Sequence, residues 1–222
     1  MSQSVFAWSM SVPIAGALLL LSVPVHCTSA QTAETETVNA DAPQPPIVTP
    51  LKWESSGVLV RPISDESHKI VSVKDPTVVH YDGLWHIYAT AYSTSARTWS
   101  MVYLNFKDWS DAPQAKLTYI DVNPSLRAYH CAPHLFYFTP HDKWYLIFQS
   151  QQPQYCTTDD ISKPETWTAP RNFFDRMPAS SPRLPIDYHV ICDESHAYLF
   201  FTGDDGRFYR CRTKIEDFPN GM

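Results

Sequence analysis

An all-β fold of the β-propeller kind is predicted for this 222-residue chain by three observations: a hairpin-forming segment that recurs three times, a period in the fifties, and no sustained helical periodicity anywhere. The recurring segments are KDPTVVHYDGLWHIYATAY from Lys74, CAPHLFYFTPHDKWYLIFQS from Cys131 and IDYHVICDESHAYLFFTGDD from Ile186. Each reads as strand, polar turn, strand. In the first, β-branched and aromatic residues flank Asp82-Gly83, a dipeptide suited to a two-residue hairpin turn. Aligning Asp75, Ala132 and Asp187 places the repeats 57 and 55 residues apart, the spacing of four-stranded blades. The outer halves follow as MVYLNFKDW (Met101 to Trp109), YCTTDDISKPETW (Tyr155 to Trp167) and FYRCRTKIEDF (Phe208 to Phe218). Each places an aromatic-bearing strand before a polar stretch that ends in Trp or Phe. From about Val73 to Met222 this period accommodates between two and three blades, fewer than the four or more that close a propeller, so an incomplete ring is expected.

Before the repeats the chain changes character twice. Val12 to Val25, VPIAGALLLLSVPV, is too short to span a bilayer comfortably, and the small residues Thr28 and Ala30 follow it. Residues 1–30 are therefore expected to be a secretory signal peptide and the protein to be secreted and extracellular, with an uncleaved anchor as the alternative because no Lys or Arg precedes the run. Residues 31–50, ending DAPQPPIVTP, read as a Pro-rich linker, which leaves 51–222 as the folded domain. A content of 44% hydrophobic and 14% aromatic residues is enough for a sizeable core. The net charge of −6 and the lack of any Lys/Arg run give no footprint for a phosphate backbone, so neither nucleic acid nor a membrane is an expected partner. Beyond the leader stand Cys131, Cys156, Cys192 and Cys211. In an oxidising compartment these permit three pairings, while the apolar runs around three of them suit buried free thiols equally well.

Lys74-Asp75-Pro76 is out of keeping with its surroundings, being a charged pair and a non-donor at the mouth of an apolar strand. Propeller geometry offers a reason. The first strand of each blade starts near the central axis, so Asp75 and Asp187 would converge on one axial mouth, with Ala132 in the equivalent place between them. An Asp before Pro is ordinarily a turn residue, and it is the pairing that turns Asp75 into a candidate. The loops returning to the same face, Tyr92 to Trp99, Gln149 to Tyr155 and Thr202 to Phe208, would ring that mouth. An acidic pit rimmed by Trp, Tyr, Gln and Arg side chains, Trp99, Tyr155 and Gln149 among them, suits a neutral polyhydroxylated ligand, because sugar rings stack on aromatics and hydroxyls need paired donors and acceptors. The alternative for Trp99 and Tyr155 is that they cap blade edges. His130 and His134 lie near the mouth, but a four-residue spacing in a strand does not make a metal site. No nucleophile elbow, phosphate loop or His-Glu-x-x-His helix is present.

From about Trp53 to Met222 the chain resembles glycoside hydrolase family 62, carried by HKIVSVKDPTVVHYDGLWHIYATAYSTSARTWSMVY, CAPHLFYFTPHDKWYLIFQS and IDYHVICDESHAYLFFTGDDGRFYRCRTKIEDFPNG. The resemblance implies a five-bladed propeller of which about the first three blades are present, and a secreted α-L-arabinofuranosidase that removes arabinofuranosyl branches from arabinoxylan with inversion. It implies Asp75 as general base and Asp187 as the second catalytic carboxylate, which orients the sugar and raises the acid's pKa. Lys74, Trp99, His134, Gln149, Tyr155, Ile186 and Asp205 are the expected substrate-binding residues. Two departures are visible: Pro185 stands where the family has an aromatic before Ile186-Asp187, and His134 replaces a Gln. The general acid expected from the resemblance is a Glu downstream of Phe218 to Gly221, with no counterpart in the sequence. No cofactor is assigned, although the resemblance leaves room for a structural divalent cation held by later blades. A monomer acting on arabinoxylan or arabinose-substituted oligosaccharides is expected. Two readings compete: a related propeller glycosidase of family 43 type acting on xylosides or arabinans, and a non-catalytic sugar-binding propeller.

Overall fold

The computed structural model describes Lys52 and residues 54–222, so the expected signal peptide and linker lie outside the described residues. Three antiparallel sheets follow one another along the chain. The first holds β1 (Ile70–Tyr81), β2 (Leu84–Ser93), β3 (Thr98–Phe106) and β4 (Thr118–Tyr119). The second holds β5 (Cys131–Phe138), β6 (Lys143–Gln149), β7 (Pro153–Thr158) and β8 (Arg171–Asn172). The third holds β9 (Pro185–Cys192), β10 (His196–Gly203) and β11 (Phe208–Lys214). Each is an up-and-down meander, and the three sequence repeats are the first hairpins of the three sheets. β1 lies against β5 and β5 against β9, so the first strands are successive neighbours.

The first hairpin shows how local sequence sets register. Asp82 and Gly83 both take left-handed φ, 48° and 73°, the pair of angles that matches the twist of the flanking strands. Tyr81 then faces Leu84, and pairing runs on through His80 opposite Trp85. Because side chains alternate across a strand, the apolar run of β2 feeds two cores at once. Tyr88 points into a cluster shared with the second sheet, including Met101, Leu146, Phe148 and Trp167. Ile87, Ala89 and Ala91 point to the opposite face, with Val102, Leu104 and Phe106. In β6 the same alternation sends Leu146 and Phe148 toward the first sheet, while Tyr145 and Ile147 meet Val190, Leu199 and Phe201 of the third. Each such side chain stabilises by about 1.5–3 kcal/mol on full burial.

Two polar side chains inside this packing are well satisfied, whereas both ring nitrogens of the buried His130 have no partner. The buried Tyr88 hydroxyl donates to the Ile161 carbonyl at 2.8 Å and accepts from Trp167 Nε1 at 2.9 Å, joining the first two sheets. Asn123 donates its amide to the carbonyls of Pro164, Glu165 and Trp167. Cys131, Cys156, Cys192 and Cys211 are free thiols; Cys131 and Cys156 are buried, but Cys211 is half-buried and Cys192 exposed, so burial was expected for two that lack it.

The third sheet differs from the other two. Ala197, Leu199 and Phe201 of β10 are buried in the shared cluster, whereas the opposite face carries Tyr198 and Phe200 with their strand neighbours Ile191, Arg210 and Arg212. Phe200 stacks on Phe208, ring centroids 5.4 Å apart, and Phe208 is 69% exposed. Among the described residues nothing covers this face.

Candidate active site

Asp75, Ala132 and Asp187 have positive φ of 50°, 49° and 60°. Each sits where the first strand of its sheet slips register against the second: between Lys74 and Thr77, between Cys131 and His134, and between Ile186 and His189. These are bulges repeated at the same place in three sheets. The bulge accounts for Lys74-Asp75-Pro76. An Asp tolerates the left-handed region because its short polar side chain can bond locally, and Pro76 and Pro133 fall where the ladder is already interrupted. Ala132 has no such compensation and bears a strain of about 1–2 kcal/mol. Ala132→Gly is therefore expected to stabilise the fold by roughly 0.5–1 kcal/mol, the relief of strain exceeding the cost of a freer unfolded chain. Urea melts of the two forms check this, and a lower midpoint for the glycine variant would count against strain at the bulge.

The bulges carry the two acids and Ala132 onto one open cavity of about 460 Å³. Two residues further along each strand, Thr77, His134 and His189 form the next layer of its wall. Cross-sheet bonds pin this arrangement. The Ala132 amide, left without a ladder partner, donates to Thr90 Oγ1 at 2.7 Å, and the Leu135 amide donates to Thr77 Oγ1 at 3.1 Å. His134 Nε2 donates to the Val190 carbonyl at 3.0 Å, which fixes its tautomer, and its ring lies 3.7 Å from that of His189. Burial, with His189 beside it, brings the His134 pKa down to about 4. Burial lowers His189 as well, so both imidazoles are neutral near pH 7.

The break in alternation at the bulge also brings Lys74 and Asp75 to the same side. Lys74 Nζ is 3.0 Å from Asp75 Oδ2 and 4.8 Å above the centre of the Trp99 ring. Trp99 in turn packs on Tyr92, its cross-strand partner. Gln149 is reached through a residue the sequence did not single out. Its Nε2 donates to the Tyr129 hydroxyl at 2.7 Å, and that hydroxyl lies 3.1 Å from Cys131 Sγ. Burial, the Cys131 contact and the charge of Asp187 hold the Tyr129 phenol far above its ordinary range, and burial with Tyr129 and Asp187 does the same for Tyr188. Both stay neutral donors beside the acids.

Of the expected substrate-binding residues only His134 lines the cavity; Lys74, Trp99 and Gln149 stand beside it, and three others are placed differently. The return loop of the second sheet is only residues 150–152, so Tyr155 lies inside β7. It is buried against Tyr145 and Phe173 in the core between the second and third sheets, away from the acidic cavity. Asp205 is taken up by its own turn: it accepts the Arg207 amide at 3.1 Å and the Tyr209 hydroxyl at 2.5 Å, and the Tyr209 bond lowers its pKa. Ile186 is half-buried in β9 opposite Thr202, next to Asp187 but not on the cavity wall. His130 is a core residue packed on Phe148, its pKa brought down by burial to about 4. Among the described residues no three His, Cys, Asp or Glu side chains converge as a metal-binding group. The divalent cation implied by the resemblance has no donor set among the described residues.

Meandering antiparallel sheets thus deliver two carboxylates to one open, histidine-walled cavity. Residues 52–222 match glycosyl hydrolase family 62, and the chain belongs to that family. It is 40% identical over 171 residues to alpha-L-arabinofuranosidase C of Cellvibrio japonicus, covering 77% of this chain and 25% of that protein. The solved catalytic domain of a family 62 alpha-L-arabinofuranosidase from Coprinopsis cinerea is 40% identical, with a TM-score of 0.69 over 74% of this chain and 53% of that one. The alpha-L-arabinofuranosidase of Podospora anserina, solved with cellotriose, is 36% identical with a TM-score of 0.66, covering 73% and 52%. A family 62 hydrolase solved with xylotriose is 36% identical with a TM-score of 0.67, covering 75% and 53%. The chain thus spans about half the length of these solved relatives and a quarter of the Cellvibrio enzyme.

Proposed function

We propose that the protein is a secreted, monomeric α-L-arabinofuranosidase that removes arabinofuranosyl side chains from arabinoxylan with inversion, and that its three sheets are consecutive blades of a five-bladed propeller. The observation that supports this reading is the delivery of Asp75 and Asp187 to one cavity from equivalent bulges, in a chain of this family. An inverting glycosidase activates water with one carboxylate and protonates the leaving oxygen with a carboxyl on the other side, roughly 6.5–9.5 Å away so that the water fits. Asp75 is the base in this reading, and the Lys74 ammonium 3.0 Å from its Oδ2 holds the carboxylate in place. Asp187 is the second anion, which makes a nearby acid harder to ionise and keeps it protonated near neutrality. Among the described residues the cavity wall offers no third carboxyl for the acid. The acid is proposed to come from outside them, so residues 52–222 alone are proposed to be inactive. The cellotriose and xylotriose bound by relatives are consistent with a cavity that receives a branch from a β-linked chain.

The test is to fuse residues 52–222 to the part of the Coprinopsis cinerea catalytic domain that they do not cover and to follow arabinoxylan hydrolysis by proton NMR. The β-anomer of arabinofuranose should be released first. First release of the α-anomer would overturn inversion. Release of xylose without branch removal, or hydrolysis of arabinan in a parallel assay, would favour the family 43 type of activity, and binding without release would favour a sugar-binding protein.

A further inference from the structure

Residues 54–69 have no regular secondary structure, yet they lie as a strap along the outer face of the first sheet. Leu59 and Val60 pack on its apolar cluster and close a cavity of about 340 Å³ against Val73, Pro76, Ile87 and Trp109. Pro76 and Lys74, also on that wall, belong to the bulge that carries Asp75. The strap therefore backs the catalytic bulge from behind.

Several bonds tie its far end to the first sheet, Ser95 Oγ donating to the Ser67 carbonyl at 3.1 Å and the Thr94 amide to the Lys69 carbonyl at 2.8 Å, and His68 is the fastening that titrates. His68 Nδ1 is 2.9 Å from both carboxylate oxygens of Asp65, within the strap, and Nε2 is 2.9 Å from Asp121 Oδ2 in the 3-10 turn Ile120–Val122 that follows β4. The ring stacks on Tyr119 at 3.8 Å, nearly parallel. Both ring nitrogens thus face carboxylates, and only the imidazolium can donate from both. The other groups facing this point are few. Lys69 Nζ donates to the Asp65 carbonyl, Arg127 Nε donates to the Asp121 carbonyl, and the Tyr119 hydroxyl donates to the Ile63 carbonyl. These bind backbone oxygens; Asp65 Oδ1 also accepts the Ser67 and His68 amides at 2.8 and 2.6 Å, and His68 is the side chain that bonds both carboxylates.

We infer that residues 54–69 form a pH-sensitive strap latched by His68 between Asp65 and Asp121, holding Leu59 and Val60 over the sheet behind Asp75 at acidic to neutral pH and loosening when the imidazole loses its proton. The inference stands apart from the glycosidase reading. Burial by itself would lower the pKa of His68, but the bonds to Asp121 and Asp65 outweigh it and the net direction is up. A group whose folded pKa is raised contributes stability that is fully present below its ordinary value and is lost as pH rises through the raised one. The latch is therefore closed on the acid side of neutrality and weakens toward alkaline pH.

Hydrogen exchange of the full chain between pH 5.5 and 8.5, expressed as protection relative to the unfolded rate at each pH, reads the latch directly. Peptides covering residues 58–69 should lose protection across the His68 titration followed by imidazole NMR, about tenfold for each unit by which the carboxylates raise the imidazole. A peptide from Lys143–Gln149 should not change. Asp121→Asn should move the midpoint to lower pH, and His68→Gln should give weak protection at every pH. Protection that is independent of pH in the native chain, or a midpoint unmoved by Asp121→Asn, would overturn the latch.

Discussion

Asp75→Asn is expected to reduce arabinose release by about 10²–10⁴-fold, the contribution of one general base, in residues 52–222 completed with the rest of the Coprinopsis cinerea catalytic domain. The variant isolates chemistry from folding for a specific reason. Asp75 holds a φ of 50° at a bulge, a conformation that Asn adopts as readily as Asp, whereas Ala would add backbone strain to the loss of the carboxylate. The amide keeps the shape and faces the same Lys74 ammonium, 3.0 Å away in the native pair. That pair is partly exposed, so its loss costs at most about 1 kcal/mol of stability. The melting midpoint should barely move while the rate collapses, and binding of arabinoxylan oligosaccharides by calorimetry should stay within a few-fold. An active Asp75→Asn enzyme would remove Asp75 from the role of base. A variant that melts much earlier would mean that the carboxylate maintains the bulge.

Much of the architecture was legible because it is written in local signals. Asp82-Gly83 states its own turn, and the repeated hairpins state the three sheets, since each is a short apolar run broken by a polar turn. The pairing of Asp75 with Asp187 followed from the period alone. The loop boundaries were less legible. The polar run after Gln149 reads as loop through to Tyr155, yet a proline can open a strand, so β7 begins at Pro153 and carries Tyr155 into the core. Asp205 precedes Gly206 in a turn dipeptide, and its side chain is spent on that turn rather than on a ligand. What the sequence hid altogether depends on contacts between sheets. Nothing near Tyr129 announces that its hydroxyl will meet Gln149, 20 residues away. Likewise nothing in the third repeat shows that His189 will lie against His134. The left-handed backbone at Ala132 is equally silent, because alanine carries no preference for it.

Residues 52–222 expressed alone are expected to release no arabinose and to associate in solution. The first outcome follows from the cavity, whose described wall holds Asp75 and Asp187 but no third carboxyl to protonate the leaving oxygen, so that a factor of about 10²–10⁴ from the acid is lacking whatever the base does. The second follows from the uncovered face of the third sheet, where Phe208 is 69% and Ile191 54% exposed beside Tyr198 and Phe200. Contiguous apolar surface of this kind on a flat sheet drives association, at about 25 cal/mol for each Å² removed from water. Arg210, above the Tyr198 ring at 5.5 Å, and Arg212 oppose it only weakly, since an arginine stacked on an aromatic gives up little charge to repulsion and keeps its planar face available. The two outcomes separate by mutation. Phe208→Lys with Ile191→Thr should return the protein toward monomer in light scattering and lower its binding of a hydrophobic dye, and should leave arabinose release at zero, because neither change supplies an acid. A chain that is already monomeric and dye-silent would show that the third sheet's outer face is not adhesive, and measurable arabinose release would place the acid among the described residues after all.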